Sequence, residues 1–263
     1  MFRSVVFFLL TLTTQIGGLA FLLFIWLKKY LKWKRTYQQL ALFLAFYLFC
    51  SLMVLPIVAP AFGRTPLPLY ATNKQGIKPA SLLACLMNRH YVKPALKEAI
   101  VAASKAMGAN VTLVYLDGNF PFWNGFPLLP HKSHDDGEKL DLAFIYQSRK
   151  DQTLLNKGKG LLGYGVVEPP ISGEVNQPAI CEHRGYWQYS LLKRLVPQRK
   201  APEYAFSESH NRQLLAILAK DHRIDKIFIE PHLKARLKLG VYAKIRFHGC
   251  AAVRHDDHIH IQL

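Results

Sequence analysis

The first 63 residues of this 263-residue chain contain no aspartate and no glutamate. Their only charged side chains are cations: Arg3, Lys28, Lys29, Lys32, Lys34 and Arg35. Two uncharged runs remain, Val5 to Leu27 and Thr36 to Gly63, of 23 and 28 residues. A helix needs roughly 20 mostly apolar residues to cross the hydrocarbon core of a bilayer, so each run predicts a transmembrane helix. A cleaved signal peptide has a shorter apolar centre, and a soluble core helix seldom runs this far without charge. Short cytoplasmic loops collect Lys and Arg, which puts the Lys28–Arg35 segment in the cytoplasm. The N-terminal end and everything after Gly63 are then expected on the far side, with Trp26, Tyr30, Trp33 and Tyr37 at the interfaces. In a bacterium this describes an inner-membrane protein whose folded domain faces the periplasm.

Cysteine is scarce as well. The four residues are not spaced as a zinc finger, which argues against a Cys-based metal site. Cys50 falls in the second run. Cys85, Cys181 and Cys250 fall in the exported part, where an oxidising compartment permits one disulfide and the sequence leaves the pair open. Internal repeats and low-complexity runs are absent, and Lys157-Gly-Lys-Gly lacks the rest of a phosphate-binding GxxxxGK[ST] loop. After Gly63 there are 28 Lys and Arg against 17 Asp and Glu, a formal +11. That balance suits an anionic partner such as lipid headgroups or an acidic wall polymer. Nucleic acid is not expected, since the domain is exported and no aromatic-basic RNA motif is present.

The pattern along the chain divides it into a membrane anchor over 1–63, a Pro- and Gly-rich linker over 64–80 and a domain over 81–263. Apolar residues at helical spacing, Leu96, Ala99, Ile100, Ala103 and Met107, predict a helix from Lys93 to Met107 that ends before Gly108. Glu208 to His222 reads as a second helix, and Pro231 opens a third through Leu237. Strands are predicted over 111–116, 140–146, 226–230, 243–247 and 258–263, and residues 157–184 are expected to loop across a surface. Phe120, Phe122, Trp123 and Phe126 form an aromatic stretch that suits either a groove wall or a small core. The expected fold is α+β, with two transmembrane helices followed by an α+β domain whose small antiparallel sheet carries a metal site.

Histidine and aspartate supply that site. The segment His131-Lys132-Ser133-His134-Asp135-Asp136-Gly137, with Asp141 seven residues past His134, is answered by His255-Asp256-Asp257-His258-Ile259-His260. Side chains alternate along a strand, so His258 and His260 share one face while Ile259 and Ile261 take the other. Imidazole and carboxylate groups at such spacings are what a catalytic zinc ion needs, three protein ligands and one open position.

The paired spacing resembles the LAS group of zinc peptidases, which includes lysostaphin-type enzymes, D-Ala-D-Ala peptidases and the hedgehog signalling domain. It is most similar to the penicillin-insensitive murein endopeptidase family, which shows His-x-Ser-His-x-x-Gly with the Asp at the same distance and a late His-x-x-His-x-His. Asp225-Lys-Ile-Phe-Ile-Glu-Pro also looks like that family's strand-then-helix unit. The likeness spans about 30 residues and departs from the family at Lys139, where an acidic residue is usual. It implies zinc ligands His134, Asp141 and His260, with His131 binding or bordering the metal. It also implies His258 as the catalytic histidine and His255 as a supporting group, in a hydrolase that cuts peptide cross-links of peptidoglycan. A D-Ala-D-Ala carboxypeptidase or dipeptidase on the same scaffold is the nearest alternative, although that class usually has Glu where His258 stands. A non-catalytic zinc-holding domain that binds wall fragments or regulates a partner is another, and a metal-free basic domain on an anionic polymer a third.

Overall fold

The computed structural model describes residues 1–30, 35–72, 76–160, 163–190 and 203–263. Lys32, Trp33 and Lys34 of the basic segment lie outside them. The protein is mixed α/β with small sheets, and its chain divides into two compact units. The first comprises residues 1–67, 82–94 and 118–138, and the second residues 68–81, 95–117 and 139–263. The strands in chain order are β1 Thr65–Pro66, β2 Ile77–Pro79, β3 Tyr91–Val92, β4 Leu113–Tyr115, β5 Lys139–Ala143, β6 Tyr146–Ser148, β7 Tyr204–Phe206, β8 Lys226–Phe228, β9 Ile245–Arg246 and β10 His258–Gln262. Residues 64–80, expected as a linker, thus contribute β1 and β2.

In the first unit the run Val5–Leu27 is not one helix, contrary to expectation. It forms α1, Phe2–Thr14, and α2, Gly17–Leu27. The Thr11, Thr13 and Thr14 hydroxyls donate back to carbonyls one turn earlier, a local competition that weakens a helix end. Gln15 then takes φ +64°, and Gly17 N–H donates to Thr14 Oγ1 at 2.8 Å. A Cβ on Gly18 would sit 1.9 Å from Thr11 Oγ1, so only glycine lets the helices approach this closely. The second run, Thr36–Phe62, is the one helical stretch among the described residues long and apolar enough to cross a membrane. This stretch, α3, opens into a wider π turn over Cys50–Val54 just before Pro56. Proline has no N–H and its ring displaces the carbonyl four residues back, which accounts for the irregularity there.

The segment 118–138 packs within the same unit. Tyr91 and Asn119 exchange backbone hydrogen bonds at 3.1 and 2.8 Å, and Phe122 joins a cluster of Ile16, Leu55, Ala59 and Tyr91. The aromatic stretch therefore works mainly as core, with the Phe62 and Phe122 rings 4.6 Å apart and tilted by 49°, and only Trp123 strongly exposed.

The second unit is built on a six-stranded sheet in the order β2-β4-β5-β10-β8-β9. Its centre, β4-β5-β10-β8, is antiparallel, while the two edge pairs are parallel. The apolar face of β10, Ile259 and Ile261, is fully buried beside Leu140, Leu142 and Ile227. Helices Pro94–Met107 and Glu208–Lys220 bury the stripes their spacing predicts. Strands β6 and β7 pair separately. Within 157–184 the structure adds a helix, Gln177–His183, where a loop was expected. The Asn176 side chain caps it by accepting from Ala179 N–H, and Pro178 sits in its first turn, where no donor is missed. A disulfide joins Cys181 of this helix to Cys250, and Cys85 is buried outside any disulfide.

Candidate metal centre

Register decides which side chains meet. In the β5–β10 ladder His260 stands directly opposite Asp141, and His258 opposite Ala143. Directly opposed residues on antiparallel strands share a face. His260 Nδ1 accordingly lies 2.8 Å from Asp141 Oδ1, and His258 Nε2 lies 3.7 Å from the same oxygen. Phe228 opposes His260 from β8 and lines the site with an aromatic ring.

The continuous stretch from His131 to Asp141 supplies the rest. Single ligand atoms from His131, His134 and Asp141 all lie within 4.8 Å of one another, so these residues could hold a metal ion. His134 and Asp141 are buried and His131 is half-buried. His134 Nδ1 lies 2.8 Å from the Gly118 carbonyl. A carbonyl only accepts, so Nδ1 carries the proton and the lone pair is left on Nε2, the tautomer that ligates metals. Gly137 completes the turn at φ +82°, and the buried Arg64 guanidinium packs against it where a side chain would otherwise stand. Two imidazoles and a carboxylate form a donor set of the borderline character that zinc and its first-row neighbours prefer. His260 approaches this group through Asp141 and is not among the three mutually close residues.

Behind the group, His258 Nδ1 lies 2.6 Å from Asp257 Oδ1, while Asp257 Oδ2 accepts from Gly165 N–H at 2.6 Å. Burial alone would lower the His258 pKa, but Asp141 and Asp257 outweigh it and raise the value. Burial would raise Asp257, and the His258 charge overrides that and lowers it. The two therefore form an ion pair. His255, beside His258 at 5.0 Å between rings, is pushed well below the ordinary histidine range by burial and by its histidine neighbours. It is a neutral imidazole.

Three contributors escaped the sequence reading. Tyr164 donates to Asp141 Oδ2 at 2.6 Å and packs edge-on against His258. Its flanking glycines, Gly163 and Gly165, both take positive φ, which is the signal that the Gly-Tyr-Gly run carried. His248 stacks on Phe228 at 4.1 Å and lies 5.5 Å from the His255 ring. Glu230 accepts from Tyr189 O–H and from the His255 backbone N–H, which ties β8 to the late histidine motif. Next to it the Arg254–Asp256 pair is fully buried and doubly hydrogen-bonded.

In comparison with known proteins, no family model matches the chain, and no curated protein matches it.

Proposed function

We propose that this protein is a membrane-anchored zinc peptidase that hydrolyses peptide cross-links in peptidoglycan. The observation that carries the reading is the close grouping of His131, His134 and Asp141, with His260 and His258 aligned on Asp141 by strand register. Zinc, when bound, polarises a carbonyl and lowers the pKa of its water toward about 7. The chain's own groups supply the remainder. Asp257 fixes the His258 ring, so its Nε2 faces Asp141 and the protonated imidazole is placed to give a proton during amide cleavage. Tyr164 and the Gly118 carbonyl orient two of the ligand side chains, as outer partners of metal ligands do. The apolar helix Thr36–Phe62 supports a tether that confines the enzyme to the inner face of a wall polymer, with the folded domain in the periplasm. The basic surface suits that acidic polymer.

The test is digestion of purified cross-linked muropeptides by protein held in detergent, followed by counting new amino groups. Activity is expected to vanish with a chelator and return with zinc. His258→Ala is expected to cost about 100-fold or more, in the range of lost general acid–base catalysis, with metal content unchanged. Zinc retention with no cleavage of any muropeptide would instead favour a non-catalytic wall-binding domain. Release of terminal D-Ala alone would favour the carboxypeptidase.

A further inference from the structure

The break at Gln15 bears on how the first apolar run meets lipid. Residues 14–18 include non-helical backbone, yet all five are buried. Protein supplies partners at the break itself: Thr14 O accepts from Asn88 Nδ2 at 3.1 Å, and Gln15 Oε1 accepts from Phe122 N–H at 2.9 Å, while Gln15 Nε2 is buried with no hydrogen-bond partner among the described residues. Irregular backbone is tolerated at membrane depth only where protein covers it in this way. From that tip α2 runs antiparallel to α3. Ile16 packs beside Leu55 and Ala59, Phe21 and Phe24 pack on Phe43, and Lys28 Nζ reaches Gln39 at 3.2 Å. Helix α1 lies alongside the start of α2 rather than end to end with it, because Gly17 and Gly18 face Leu10, Thr11 and Phe7. The outer sides of both helices expose apolar residues, among them Phe2, Phe8, Leu9, Leu22 and Trp26.

We propose that α1 and α2 form a helical hairpin inserted in the lipid bilayer from the side of the Lys28–Arg35 segment, with its polar tip, Thr14–Gln15, docked on Asn88 and Phe122 at the opposite face. This rests on the membrane reading above and changes its topology. Arg3 joins Lys28, Lys29 and Arg35 on one side, and the residues after Phe62 lie on the other. The arrangement puts Arg3 on the same face as Lys28, Lys29 and Arg35, as the positive-inside rule favours. At 1.5 Å per residue, the 13 residues of α1 extend about 20 Å, short of a core of about 30 Å. The long Arg3 side chain covers part of the shortfall by reaching toward the interface.

The test uses the full chain in intact cells, with single cysteines introduced at exposed positions: Ser4→Cys, Lys29→Cys and Tyr70→Cys. A membrane-impermeant maleimide is the probe. The parent chain is the blank, since Cys85 is buried, Cys181 is bonded to Cys250, and the half-buried Cys50 lies within the apolar helix Thr36–Phe62. The expected result is labelling of Tyr70→Cys in intact cells, and of Ser4→Cys and Lys29→Cys only after permeabilisation. Labelling of Ser4→Cys in intact cells with Lys29→Cys still protected overturns the hairpin while leaving a membrane-crossing chain. Identical behaviour of all three overturns the membrane reading and the hairpin with it.

Discussion

Tyr164 shows how much one hydroxyl contributes to a site of this kind. Its proton goes to Asp141 Oδ2, and Asp141 Oδ1 faces both His260 and His258. Tyr164 therefore holds the carboxylate in the orientation that the histidines meet. Burial and the adjacent Asp141 charge push its pKa well above the ordinary tyrosine value, so the hydroxyl remains a donor throughout the working pH range. Tyr164→Phe keeps the ring against His258 and removes only this bond. Loss of such outer partners typically weakens metal binding 10- to 100-fold. Competition with a chromophoric chelator is expected to show a drop of at least about 10-fold for this variant, and an unchanged affinity would mean that Asp141 needs no such support. The common face of His258 and His260 was legible in the sequence because strand alternation is a local property. Tyr164 was not, because its bond joins residues 23 positions apart through two glycines whose positive φ no periodicity encodes.

At the scale of elements, long amphipathic helices and the strand β10 followed from apolar spacing, whereas short or capped elements did not. The helix Gln177–His183 has one apolar turn's worth of signal and depends on the Asn176 cap and the bond from Cys181 to Cys250. The two sulfurs are 69 residues apart in sequence, and no local rule could have chosen Cys250 over Cys85. Cross-linking a loop of that length removes chain entropy from the unfolded state worth about 4 kcal/mol. Cys250→Ser is therefore expected to lower the melting temperature by several degrees. Addition of reductant to the parent protein should give a similar shift, and reductant should have no further effect on the variant. Failure of the two curves to coincide would show that the serine perturbs the fold beyond removing the bond. Cys250 stands two residues past His248, so the same bond pins the segment whose imidazole stacks on Phe228 beside the late histidines. The break in the first apolar run was likewise hidden. Its length and composition read as one span, and the reversal depends on threonine hydroxyls, a glycine pair and partners at residues 88 and 122.

For the molecule as a whole, pH acts through buried groups more than through the surface excess of positive charge. Glu230 is fully buried, and burial, reinforced by Asp256, raises its pKa to about 7. Its Oε2 has no hydrogen-bond partner among the described residues, which agrees with a protonated carboxyl. Because the folded value exceeds the unfolded one of about 4.5, this stability is fully present below about pH 4.5. It is lost as pH rises through about 7, and the span corresponds to a penalty on the order of 3 kcal/mol above neutrality. Glu230→Gln keeps acceptors for Tyr189 and the His255 N–H and removes the titration. Melting temperatures in detergent across pH 4.5 to 8 should coincide for the two proteins at the acid end and diverge in favour of the variant as pH rises. His90 tilts both curves the other way: burial lowers its pKa to about 4, so its contribution is lost as pH falls from about 6.5 toward 4. That term is common to both proteins and cancels in the difference between them. A difference curve flat across this window would mean that Glu230 is ionised in the fold, and that Arg254 rather than a proton balances the buried carboxylates around the late histidine motif.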